Sequence, residues 1–101
     1  MQVHLKVNNF LDTRPIRNTI GYIKGAMEPE KYVIIGNHHD AWVYGAIDPN
    51  SGTTVVIETA RVFKAVMNAT GWRPRRTIVF GSWDSEEYGL HGSNEWVEVC
   101  N

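Results

Sequence analysis

Apolar and polar residues alternate along the start of the chain, with Val3, Leu5 and Val7 on one side of the pattern. A period of two predicts a half-buried strand over residues 3–10. Residues 11–18 read as a connection, and the alternation returns over 19–26 as a second strand. It stops at Met27-Glu28-Pro29-Glu30-Lys31, which reads as a turn built on Pro29. Tyr32-Val33-Ile34-Ile35-Gly36 is different: an unbroken apolar run rich in β-branched residues, as expected of an interior strand covered on both faces. Over 53–69 the period lengthens to that of a helix. Val56, Ala60, Phe63 and Met67 share a face, widened by Val55, Val62 and Val66, and Glu58, Arg61, Lys64 and Asn68 make the opposite one. Gly71 is placed to end this helix. Residues 76–83 predict a second buried strand, and 93–100 begin a helix with Ser93 as its N-cap.

Two edge-type strands followed by strand, helix, strand and helix indicate an α/β domain with parallel central strands and a right-handed crossover. The chain has 101 residues, enough for one small domain. Only four strands are expected, fewer than such sheets usually hold, so the sequence reads as part of a larger domain. Composition changes this picture little. The chain is 43% hydrophobic and 21% charged, with a formal net charge of -1. That is an ordinary globular balance with no excess of basic residues for a nucleic-acid surface. The arginines of residues 72–77 are broken by Pro74 and read as a solvated turn leading into a strand. No apolar stretch approaches the ~20 residues of a membrane span, and residues 1–9 lack the apolar centre of a signal peptide. The single cysteine, Cys100, can form no internal disulfide and leaves the redox compartment open.

The polar residues at the strand ends carry the chemistry. One buried run leads into Asn37-His38-His39-Asp40, the other into Ser82-Trp83-Asp84-Ser85-Glu86-Glu87. In an open parallel sheet, ligands bind beyond the carboxyl ends of the strands, so the two clusters meet at one edge if the strands are neighbours. Imidazole and carboxylate are zinc ligands, and without a thiolate cluster a catalytic site is favoured over a structural one. The motifs H-E-x-x-H and G-x-S-x-G and a glycine-rich phosphate loop are all missing. Glu86 and Glu87 are adjacent and point in different directions on leaving a strand, so one can bind a metal while the other accepts a proton from an attacking water. Asp48 is superfluous to one metal but suited to bridging two. Each feature also has a plainer reading: a hydrogen-bonded loop histidine, a solvent-facing acidic pair, a turn at Asp48-Pro49-Asn50-Ser51-Gly52. On the residues alone both readings stay open.

Residues 32–52 followed by 71–96 resemble the dinuclear zinc peptidases of family M28, in the branch that contains glutamate carboxypeptidase. The resemblance begins near Asn18, covers nearly the whole chain, and rests on several separated motifs in matching order. It implies a three-layer α/β sandwich with a mixed, centrally parallel sheet, present here in incomplete form. It also implies a site with two Zn2+ ions. His38 matches a ligand of one zinc, Glu87 a ligand of the other, Asp48 the carboxylate bridging both, and Glu86 the catalytic base. Asp40 resembles the acid that orients the ligand histidine, and His39 falls at a variable position. Related enzymes have a cis peptide after the bridging aspartate, which makes Asp48–Pro49 a candidate cis bond.

Two further ligands of the family, an aspartate and a histidine, would lie beyond Asn101. The chain is therefore expected to be the N-terminal part of a catalytic domain and inactive alone. The implied function is a carboxypeptidase releasing C-terminal glutamate or similar residues from peptide substrates. The implied parent is a homodimeric, type II plasma-membrane protein with an extracellular ectodomain. Asn68-Ala69-Thr70 is a glycosylation sequon compatible with that location. The transferrin receptor shares the fold without the metal ligands and supplies the alternative, a non-catalytic binding or dimerisation module.

Overall fold

Arg76–Trp83, the strand richest in buried apolar residues, lies at the centre of the sheet in a computed structural model that describes residues 1–99. The elements are β1 (Thr19–Ile23), β2 (Glu28–His38), α1 (Asn50–Thr70), β3 (Arg76–Trp83) and α2 (His91–Val99). The sheet order is β1-β3-β2, with β1 antiparallel and β2 parallel to β3. This is a mixed, open α/β sheet. Its core sits on β3, where Ile78 is 7% exposed and Val79 fully buried. Burial of one such side chain stabilises by about 1.5–3 kcal/mol, so this strand dominates the packing.

The helices lie on opposite faces. Phe80 and Trp83 are an odd number of residues apart on β3, so they point to opposite sides of the sheet. Phe63 of α1 packs edge-on to Phe80 with ring centroids 6.2 Å apart, and Trp96 of α2 meets Trp83 at 5.2 Å. The Trp83 ring lies over the register pair Gly36 and Gly81, where a β-carbon on either residue would collide with it. α1 buries the expected face only in part. Val56, Ala60, Phe63 and Met67 are half-buried, and Gly71 takes the left-handed conformation (φ 72°) that closes the helix. Val55, Val62 and Val66 remain exposed, because the sheet they would extend over is narrow.

Several expectations are corrected. Residues 3–10 form no strand, and Val3, Leu5 and Val7 are exposed. Alternation makes a strand only where a ladder partner and an apolar surface exist, and among the described residues neither is supplied. Residues 28–31 of the expected turn are instead the irregular start of β2. Glu28 pairs with Arg76 and Tyr32 with Thr77, so residues 29–31 bulge, and the missing N–H of Pro29 costs no ladder bond there. The run 32–36 belongs to an edge strand of the three, with Val33 and Ile34 half exposed rather than covered on both faces. α1 begins three residues early, at Asn50, and α2 begins at His91, before Ser93. Ser93 donates to the Leu90 carbonyl at 3.2 Å instead of capping. Cys100, expected in that helix, lies outside the described residues. No helix among the described residues is long and apolar enough to cross a membrane.

Candidate metal centre

Because β2 and β3 are parallel, their carboxyl ends share one edge, with His38 directly opposite Trp83. The ladder continues one bond further, from the His39 N–H to the Trp83 carbonyl at 2.9 Å. From this edge leave the loop to α1, which carries Asp40 and Asp48, and the loop to α2, which carries Glu86 and Glu87.

The fold brings His38, Asp48 and Glu87 together, each offering one ligand atom within 4.8 Å of the others. His38 is largely buried, whereas the Asp48 carboxylate is 73% exposed at the rim. The Nε2 atom of His38 lies 2.8 Å from Oδ1 of Asp48, and Nδ1 lies 3.0 Å from the Asp40 carbonyl oxygen. Both ring nitrogens thus face acceptors, and only the imidazolium can donate to both. Burial pulls the His38 pKa down, but Asp48, the nearby Glu86 charge and Asp40 outweigh it and leave it raised. A cation at Nε2 would take the place of that proton while Nδ1–H kept its bond to Asp40, the usual way a second partner fixes a ligand imidazole.

Asp40 does more than face the histidine. Its Oδ1 accepts the Glu86 N–H at 2.9 Å and its Oδ2 the Glu87 N–H at 3.0 Å. Oδ1 is also 3.4 Å from Nδ1 of His38. One half-buried carboxylate therefore ties both loops to the same point. Burial works to raise its pKa, but the two backbone N–H bonds prevail and hold it lowered, so Asp40 stays ionised. The turn that presents those N–H groups passes through Ser85 in a left-handed conformation (φ 56°), with its N–H bonded to the Asp84 carboxylate at 2.8 Å. Glu86 is 34% exposed, with Oε2 3.8 Å from Nδ1 of His38.

The remaining sequence candidates fall outside this group. His39 turns to Ser82, its Nδ1 2.8 Å from the hydroxyl oxygen, and toward Asp84 at 3.7 Å. Asn68 is exposed in the last turn of α1. The Asp48–Pro49 bond is cis. Sequence reasoning passed over Asn37, whose side chain bonds the loop end and the first turn of α1, and Gly52, which leaves room for it. A signal was present: the asparagine directly follows the apolar run 32–36, and asparagine is a residue that strands disfavour.

Three donors of imidazole and carboxylate type suit zinc, and the set contains no thiolate that would mark a structural site. No lysine or arginine side chain among the described residues pairs with Asp40, Asp48, Glu86 or Glu87. The donors fit a metal.

The sequence profile of peptidase family M28 matches residues 18–101. The chain belongs to peptidase family M28. It is 60% identical over 94 residues to a glutamate carboxypeptidase 2 homolog of Caenorhabditis briggsae, covering 93% of this chain and 12% of that protein. The homolog of the same name from Caenorhabditis elegans is 56% identical over 97 residues, 96% of this chain and 13% of the relative. Aminopeptidase NAALADL1 of Mus musculus is 50% identical over 97 residues, again 96% of this chain and 13% of the relative. The chain thus spans about one eighth of the length of the curated relatives it matches.

Proposed function

We propose that this chain carries part of the active site of a cocatalytic zinc exopeptidase, a carboxypeptidase acting on peptides that end in glutamate or a similar residue. The observation that carries the reading is the convergence of His38, Asp48 and Glu87 within 4.8 Å, with no lysine or arginine among the described residues paired to them. His38 and Glu87 would each hold one Zn2+, and Asp48 would be shared between the two. Zinc in such a site lowers the pKa of water and polarises the scissile carbonyl. Glu86, held through its N–H by Asp40, accepts the proton of the attacking water and returns it to the leaving amine. Asp40 keeps the imidazole of His38 aligned through its carbonyl oxygen and the base in place through its carboxylate.

The small share of the relatives' length that is matched supports one extension. The chain is the N-terminal part of a longer catalytic domain, and the missing aspartate and histidine ligands lie in the rest of it. With one private ligand per zinc and a shared carboxylate, the 101 residues alone fall short of the three protein ligands usual at catalytic zinc and should be inactive. From the family resemblance alone we also propose that the parent is a homodimeric type II plasma-membrane protein with an extracellular catalytic part, with Asn68 as its candidate glycan site.

The test is Glu86→Gln in the complete protein, assayed on an N-acetyl-aspartyl-glutamate type substrate and for zinc content. Loss of turnover by about 10²–10⁴-fold with zinc retained is expected. A parent protein with neither zinc nor turnover would establish the receptor-like alternative instead.

A further inference from the structure

We infer that Asn37 is the positioning residue for Asp48, holding the shared carboxylate in place through the carbonyl of the next residue, Pro49; this rests on the metallopeptidase reading above. Asp48 is 73% exposed, so packing does little to hold it and its aim depends on how its backbone is anchored. Asn37 is the neighbour of His38 on β2, and successive strand residues point to opposite faces. While His38 meets the Asp48 carboxylate directly, Asn37 reaches the same loop from the other side. Its amide nitrogen lies 3.0 Å from the Pro49 carbonyl, 3.1 Å from the Thr53 hydroxyl and 2.8 Å from the His38 carbonyl. Two N–H groups serve three acceptors. Thr53 closes the network, its hydroxyl donating to the His38 carbonyl at 3.1 Å and its N–H to the Pro49 carbonyl at 3.0 Å.

The last two residues of β2 therefore hold this turn at two points, His38 at the Asp48 carboxylate and Asn37 at the Pro49 carbonyl. Gly52 makes this possible. A β-carbon there would overlap the Asn37 side-chain amide, so that amide can hold its place against the first turn of α1 only with glycine at this position. α1 has no side-chain N-cap bond, which leaves the Asn37 network as the side-chain tie between the helix start and the strand end.

The experiment compares Asn37→Ala, Gly52→Ala and Asp48→Ala in the complete protein by zinc titration, with absorption spectra of the Co2+-loaded forms. Asn37→Ala should bind zinc about 10–100-fold more weakly, the usual effect of losing a group that supports a ligand. Its cobalt spectrum should move toward that of Asp48→Ala. Gly52→Ala should show the same loss without a lower melting temperature in the metal-free protein, because alanine favours the helix while displacing Asn37. Parental zinc affinity in both the Asn37 and Gly52 variants, beside a weakened Asp48→Ala, would overturn the assignment and leave the metallopeptidase reading standing. A weakening that only tracks a fall in metal-free stability, with an unchanged cobalt spectrum, would also overturn it. Parental affinity in Asp48→Ala would sink the metallopeptidase reading itself.

Discussion

Where β2 and β3 begin, the carboxylate of Glu28 faces Lys31, Arg75 and Arg76; where they end, Asp40, Asp48, Glu86 and Glu87 gather around the imidazole of His38. The first edge is self-sufficient. Lys31 and Arg75 hydrogen-bond the Glu28 carboxylate, Arg75 at 2.5 Å, and Arg76 lies 3.4 Å away. These bonds, against a smaller effect of burial, hold the Glu28 pKa lowered. At the second edge Asp40 is bonded by two backbone N–H groups and Asp48 by the His38 ring, and no lysine or arginine among the described residues pairs with any of the four carboxylates. Like charges held this close repel one another unless a proton or a cation stands between them. The contrast separates an ion cluster that joins two strands from one arranged to receive something. Family membership then says what the second edge would receive.

The contrast is broken most forcefully at Asp48. In the complete protein, Asp48→Ala should weaken zinc binding by more than about 100-fold, the upper range for losing a group that merely supports a ligand. Isothermal titration would measure it. An unchanged affinity would make the acidic edge as self-contained as the basic one.

Asp40→Asn is the next largest. The amide keeps the shape of the carboxylate but has one oxygen, so either the Glu86 or the Glu87 N–H faces an NH2 group that cannot accept it. Zinc affinity should fall about 10–100-fold, and turnover should fall further because Glu86 loses its anchor. Circular dichroism of the metal-free protein would show that the fold persists.

The comparison also shows what was legible in the sequence. α1 could be read because a long amphipathic period leaves few alternatives, and Gly71 because a left-handed terminus favours glycine. β3 was legible from its apolar run. The approach of His38, Asp48 and Glu87 followed from one topological inference, that two parallel strands end at the same edge. Residues 3–10 were misread because alternation describes two unlike faces and says nothing about a partner strand. Pro29 was misread as a turn because a bulge tolerates proline as well as a turn does. Asn37 and Gly52 escaped notice for another reason. The strand asparagine marks a position but not its partner, because both roles exist only once α1 has docked on β2.

Acidity sharpens the contrast more gently. The His38 pKa is raised in the metal-free protein, so its protonation favours folding below the ordinary histidine range and this contribution is lost as pH rises through the raised value. Metal binding runs the other way, because a ligand imidazole must be neutral. Zinc affinity should therefore climb with pH, by at most about tenfold per unit for this one proton, and level off above the raised His38 value. Titrations across about pH 6 to 8 would trace it. A flat profile would remove His38 from the ligand set.

The smallest effect is expected at the other edge. Glu28→Gln removes the charge that Lys31, Arg75 and Arg76 surround, while the amide still offers one acceptor. These partners are half or more exposed, and such pairs contribute little in water. Neutral-pH stability and zinc affinity should both stay close to the parent's. The small difference that remains should lie above the carboxylate range and vanish in acid. A lowered carboxylate pKa contributes stability above the unfolded value, and that stability is lost as pH falls through the folded one. Parent and variant should therefore converge in stability as pH drops below the ordinary carboxylate range, and the gap between them above it should shrink with added salt. Urea unfolding at a series of pH values would follow both trends. If Glu28→Gln instead changed zinc affinity as much as Asp40→Asn does, the two edges would be coupled through β2 and β3, and charge at one could no longer be read independently of the other.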